Sequence, residues 1–372
     1  MNNDSHFLSN ILSADSPLTF LDILIHKVSP ELLLFVGQAV ILLIAFVGAV
    51  AAVAIILSNL GLRPKTQAHL DAKSLNDEWT DRKRSLESLF VSKKEWKAKM
   101  KADRESEKER IADGNAKKRL WVLDFNGDAE ASRTECLRNE ITAILDVVKS
   151  QSNRGQDEVL LRLESPGGTV TGYGLAASQL ARLRKNGIPL TVAIDEVAAS
   201  GGYMMAAVAN KIVASPFAVL GSIGVIGQVP NFHRLLKKHD VDYLEVTAGE
   251  HKRPISIFGQ VTEEGVKKFR SQIEDVHKLF RHHVHEYRPN LDLDKTANGD
   301  VWHGLDALKL GLIDEISTSD ELIDQARLVE NRDVFHVAWK PSRSWRSRFE
   351  ETASSIVQTA IRRSLADLRP KY

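Results

Sequence analysis

Between Leu32 and Leu57 the chain runs for 26 residues, "LLLFVGQAVILLIAFVGAVAAVAIIL", without a charged side chain. At 1.5 Å rise per residue, about twenty apolar residues cross the hydrocarbon core of a bilayer. The run therefore predicts a transmembrane helix. A cleaved leader would have a basic start, a shorter apolar region and a small-residue cleavage site. Here the preceding segment, 1–31, carries Asp4, Asp15, Asp22 and Glu31 against Lys27, so a retained single-pass anchor at 32–57 is expected.

Beyond the anchor, from residue 63 to about 119, the sequence is dense in charge and almost free of Pro and Gly. That composition suits a solvated helical stalk or linker, with 58–119 as its span. A strand-like run, "RLWVLDFNG" (119–127), then opens a globular pattern, and an amphipathic helix follows near Ser132–Ser150. Strand and helix alternate after it: "EVLLRLES" (158–165), "GYGLAASQLARLRKNG" (172–187), "PLTVAID" (189–195). Such order predicts an α/β domain over 120–330 with a mainly parallel sheet, helices on its faces and strand-end loops free for chemistry. Further strands are expected at "KIVAS" and "VDYLEV", with helices at about 262–287 and 319–330. The remainder, 331–372, is a basic extension in which Trp345, Phe349, Ile356, Ala360, Leu365 and Leu368 fall along one helical face, suited to packing or to a membrane surface.

Charge excludes one class of partner. With 50 Lys and Arg against 49 Asp and Glu, the chain is not a globally basic nucleic-acid binder. Its one cysteine, Cys136, sits in an amphipathic helix and reads as a packed thiol. No His-Glu-x-x-His, Cys-x-x-Cys pair, phosphate loop or Gly-x-Ser-x-Gly elbow is present. His277, His282, His283 and His285 lack the spacing of a zinc site and read as a solvated helix face.

Two glycine turns remain. "LESPGGTVTGYG" (163–174) lies between a strand and a helix, and "AIDEVAASGGYMMAAVANKIV" (193–213) repeats the arrangement around Ser200. The uncharged part of the second segment is too short to cross a bilayer. Ser200 there either caps a helix or attacks a carbonyl, with the Gly201 amide and that of Gly168 or Gly167 as an oxyanion hole. Such a serine needs a base. Lys252 in "TAGEHKRPIS" (247–256) is the candidate, its ammonium form disfavoured by burial and by Arg253, with Glu250 opposing. Ser222 in "VLGSIGV" (219–225) offers a polar group to hold the neutral amine.

Taken together, "SPGG" (165–168), "AASGGYMMA" (198–206), "LGSIGV" (220–225) and "TAGEHKRPIS" resemble the signal peptide peptidase A family of membrane serine proteases, in order over about 120–325. The anchor, the stalk, "WVLDF" and "GLIDEISTSDE" are similar to its SohB subgroup in particular. The resemblance implies a Ser/Lys dyad on a ClpP/crotonase-type spiral fold. Ser200 is then the nucleophile, Lys252 the general base, Ser222 the serine that orients the lysine, and Gly168 with Gly201 the oxyanion-hole backbone. It implies ring- or dome-like homo-oligomers whose active sites draw on neighbouring protomers, and no metal or organic cofactor. Peptide or unfolded protein substrates and a lipid bilayer are the expected partners. The catalytic domain is expected on the outer, periplasmic face of a bacterial inner membrane, although Arg63, Lys65 and Lys73 beside the anchor bias it inward. Two other classes are a peptide-binding scaffold on the same fold and an acyl-CoA enzyme, the latter having no need of Ser200 and Lys252.

Overall fold

Strands buried on both faces read as continuous apolar runs, and "LWVLDF" and "VLLRL" form such strands. The computed structural model describes residues 68–112, 118–150, 157–249 and 251–342, together with Gln38, Ile41, Leu42 and Ala45, which are helical. The expected anchor otherwise lies outside the described residues, as does the apolar face expected at 345–368. Among the described residues no helix is long and apolar enough to cross a membrane.

In chain order the elements are β1 (His69–Ser74), α1 (Leu75–Glu87), α2 (Lys93–Ala112), β2 (Arg119–Asn126), α3 (Thr134–Ser150), β3 (Asp157–Glu164) and α4 (Val170–Lys185). There follow β4 (Leu190–Ile194), β5 (Val197–Ala199), α5 (Gly201–Ala207), β6 (Lys211–Ala214) and β7 (Val219–Gly221). The last part holds α6 (Glu263–Tyr287), β8 (Val301–His303), α7 (Gly304–Leu310), β9 (Glu315–Ile316), α8 (Ser319–Asp324) and β10 (Asp333–Lys340). A seven-stranded sheet has the order β1-β10-β2-β3-β4-β6-β9. It is parallel throughout except for the edge strand β1, antiparallel to β10. A three-stranded sheet, β5-β7-β8, stands beside it.

Alternation along β2 feeds two cores. Trp121, Leu123 and Phe125 enter the larger one, with Leu137 and Ile141 of α3 and Leu180 of α4, while Leu120 and Val122 meet Ile323 of α8 on the opposite face. The compact unit spans Gln67–Ser342, so β1 within the charged stalk and β10 within the basic extension both belong to it. The expected strand "VDYLEV" is not one: residues 241–247 pair with no strand among the described residues. Their alternation finds no sheet edge to join, and Leu244 and Val246 are exposed.

The two sheets are joined where the chemistry was expected. β3 pairs with β4 as far as Arg162, after which Ser165 turns away and bridges Ala198 of β5. The Ser165 N–H donates to the Val197 carbonyl at 2.8 Å, and the Ala199 N–H returns to the Ser165 carbonyl at 3.0 Å. Both glycine turns thus leave adjacent strands at the same end.

Candidate active site

Ser200 follows β5 and is the N-cap residue of α5, at φ 53° and ψ −117°. A non-glycine residue held at such a positive φ costs about 1–3 kcal/mol, and such strain clusters at functional sites. Its backbone is over-determined, since the Ser200 N–H donates to the Gly221 carbonyl at 2.8 Å and its own carbonyl accepts from Met204 at 3.0 Å. The side chain does not cap the helix. With no hydrogen bond from its hydroxyl among the described residues, the capping role that sequence alone allows is removed.

The "SPGG" turn lies directly against it. A Cβ placed on Gly167 would come within 2.7 Å of the Ser200 Cβ and 2.9 Å of the Gly201 nitrogen. Thr169 pins the far side of the turn, donating its N–H to the Ala129 carbonyl at 2.8 Å. Gly168, Ser200 and Gly201 line one cleft of about 400 Å³ with Val170, Met204 and Ile226. The Gly201 amide opens α5, where an N–H has no intrahelical acceptor, and the Gly168 amide has no acceptor among the described residues. Two bare amides beside one strained serine fit the needs of a tetrahedral oxyanion. α6 supplies the opposite wall through Val276, Leu279, Phe280 and His283.

A hydrogen-bond chain that sequence reading missed supports this turn. The Tyr173 O–H donates to the Asp128 carbonyl at 2.8 Å. Ser165, 2.6 Å away and fully buried, must therefore donate its own proton to the Tyr173 oxygen. The Ser165 oxygen then accepts the Gly167 N–H at 3.1 Å, which leaves the Gly168 amide as the unspent one. Burial raises the Tyr173 pKa and keeps the phenol a donor. The same ring also abuts the second amide, since a Cβ on Gly201 would fall 2.4 Å from it. Tyr173 thus ties both halves of the site together. Tyr173→Phe is expected to lower kcat about tenfold with KM nearly unchanged, the loss of one positioned hydrogen bond. Unchanged kcat with lower thermal stability would make Tyr173 a packing residue only.

Ser222 follows β7 at φ 50°, and its N–H donates to the Asp300 carbonyl at 2.6 Å. Through Gly221 it is tied to the backbone of Ser200. Lys252 is not brought to the cleft. It lies exposed in a loop, its N–H on the Gly249 carbonyl at 3.1 Å, and its side chain has no partner among the described residues. Arg253, expected to disfavour the lysine's charge, is paired with Glu245 at 3.2 Å instead, and Glu250 lies outside the described residues.

The histidines depart from a solvated face. Rings of His277 and His283 turn inward, with Nε2 at 3.3 Å from the Ile223 carbonyl and 2.9 Å from the Met204 carbonyl, while His282 and His285 are exposed. Among the described residues no group of three or more His, Cys, Asp or Glu is gathered for a metal ion. Burial raises the Cys136 pKa, so its thiol is not an activated nucleophile.

Residues 182–332 match peptidase family S49, and residues 29–180 match the peptidase family S49 N-terminal region. The chain is 46% identical over 323 residues to a probable protease SohB of Haemophilus influenzae, covering 82% of this chain and 90% of that one. A probable protease SohB of Buchnera aphidicola is 53% identical over 209 residues, 56% of this chain and 61% of the relative. Protease 4 of Haemophilus influenzae is 28% identical over 258 residues, 68% of this chain and 41% of the relative.

Proposed function

The chain belongs to peptidase family S49, among SohB-like proteases, and from that premise we propose that it is a membrane-anchored serine endopeptidase with Ser200 as nucleophile. The observation that carries this reading is the strained Ser200, with its free hydroxyl, in one apolar cleft with the Gly168 and Gly201 amides. The pairing of two sheets at Ser165 and Ala198 suits a ClpP/crotonase-type spiral.

In the proposed reaction Lys252 Nζ takes the proton of Ser200 Oγ as that oxygen attacks the scissile carbonyl, and Ser222 Oγ holds the neutral amine. The tetrahedral oxyanion receives the N–H groups of Gly168 and Gly201. Collapse breaks the C–N bond, the lysine returns its proton to the leaving amine, and water then hydrolyses the acyl-enzyme on Ser200. Because Lys252 lies outside the Ser200 cleft, the lysine comes either from a neighbouring protomer or from a rearranged loop. Exposed apolar residues around that loop, among them Phe232, Leu244 and Val246, favour a second copy as their cover.

The apolar wall of Val170, Met204, Leu279 and Phe280 favours unfolded or membrane-released peptides, signal peptide remnants included, cut beside small or aliphatic residues. The run Leu32–Leu57 supplies the membrane tether, with the catalytic domain on the periplasmic face of the inner membrane. The test is a cleavage map of unstructured apolar peptides with the purified full-length chain. Cuts after small or aliphatic residues are expected, whereas tight binding without turnover would favour a peptide-binding scaffold instead.

A further inference from the structure

The hairpin of α1 and α2 carries apolar side chains where a self-contained domain has no use for them. Its base is fixed, with Leu75 and Trp79 packed on the smaller core and the Arg327 guanidinium 4.3 Å over the Trp79 ring. Its turn is equally well built. The N–H groups of Ser88 and Val91 donate to the Arg84 and Glu87 carbonyls at 3.0 and 3.2 Å, and Ser92 exchanges hydrogen bonds with Glu95 to start α2. Lys99–Glu87 at 2.7 Å and Arg84–Asp103 at 3.2 Å clamp one helix to the other. Yet this ordered turn leaves Leu86 63% exposed, Leu89 80% and Phe90 76%.

Covering side chains of this size removes a large apolar area from water and is favourable. Charge indicates the kind of cover. Lys93 and Lys94 stand in the first turn of α2, the positive end of the helix dipole, where acidic side chains are favoured. Glu95, the acidic residue of that turn, is engaged by Ser92, and Lys93, Lys94 and Lys97 have no ion-pair partner among the described residues. Arg82, Lys83 and Arg84 are paired with Glu78, Glu87 and Asp103, so the uncompensated charge beside the turn is that of Lys93, Lys94 and Lys97. A nucleic acid would satisfy the lysines and leave Leu86 and Leu89 in water. An uncharged protein groove would do the reverse. A bilayer with anionic headgroups answers both, since apolar side chains enter at the headgroup boundary and each nearby Lys is attracted to the negative surface.

We propose that the turn between α1 and α2 is a lipid-contact element, seating Leu89 and Phe90 in the surface of an anionic phospholipid bilayer with Lys93, Lys94 and Lys97 on the phosphates. It is a second contact, distinct from the span at Leu32–Leu57 of the proposed function. Full-length chain carrying Cys136→Ser and Leu89→Cys, labelled with an environment-sensitive fluorophore, is reconstituted into phosphatidylcholine vesicles with or without phosphatidylglycerol. Flotation reports the span. The fluorophore reports the turn. With phosphatidylglycerol present, a blue shift and quenching by nitroxide-bearing lipid are expected. Both should be lost without phosphatidylglycerol or with Lys93→Glu and Lys94→Glu, and a label at Lys101→Cys should remain in water. Water-like emission from position 89 in floated, phosphatidylglycerol-containing vesicles would overturn the proposal. A shift insensitive to lipid quencher and growing with protein density would also overturn it, in favour of a second copy as the cover.

Discussion

Replacing Ser200 with alanine is expected to lower peptide cleavage by roughly four to six orders of magnitude, the scale seen when a serine nucleophile is removed. Thermal stability should hardly change. The hydroxyl makes no hydrogen bond to the rest of the described protein, and alanine has the same Cβ as serine, so the strained backbone at φ 53° is met equally by both. A residual rate above the uncatalysed one is expected, because the Gly168 and Gly201 amides remain to polarise a bound carbonyl. The measurement is kcat on an unstructured peptide alongside a melting curve. Normal folding with full cleavage would place the nucleophile elsewhere.

Lys252→Ala is expected to lower kcat by about a hundredfold to ten-thousandfold, the range of a general base, again without loss of stability. Lys252 is exposed, and its side chain has no partner among the described residues. Its distance from the cleft gives the experiment a second arm. When Ser200→Ala and Lys252→Ala chains are co-assembled in equal amounts, a site built from adjacent copies should recover about a quarter of wild-type activity, since one junction in four unites an intact serine with an intact lysine. No recovery from a co-assembled mixture would put base and nucleophile in one chain and require the 248–256 loop to move.

Buried parallel strands and the glycine turns were legible because their signal is local. "VLLRL" is apolar on both faces, and "SPGG" and "ASGG" each follow a strand and precede a helix. The strands at either end of the domain were not. β1, "HLDAKS", lies on a sheet edge with no fully buried residue, so its composition merges with the charged segment after it. Its partner β10 is more than two hundred residues away in sequence, and pairing over that separation leaves no local trace.

Conversely, "VDYLEV" has the alternation of a strand without a neighbouring strand to pair with, because alternation records a preference for cover and not its source. At the site, Ser200, Ser222, Gly168 and Gly201 could be singled out from their turns. Tyr173 could not, since nothing in its spacing reveals that its hydroxyl returns to Ser165 and its ring to Gly201. Lys252 stands out as a candidate base from "TAGEHKRPIS", and the family resemblance gives it that role, yet the fold of a single chain leaves it apart from the serine.

The central claim is that Ser200 is the nucleophile, and covalent capture tests it most directly. An active preparation treated with a fluorophosphonate, digested and mapped by mass spectrometry should carry the adduct on Ser200 and lose activity in step with labelling. Labelling should fail in the Lys252→Ala variant. Inactivation with the adduct on another residue, or full activity persisting with Ser200 fully modified, would contradict it.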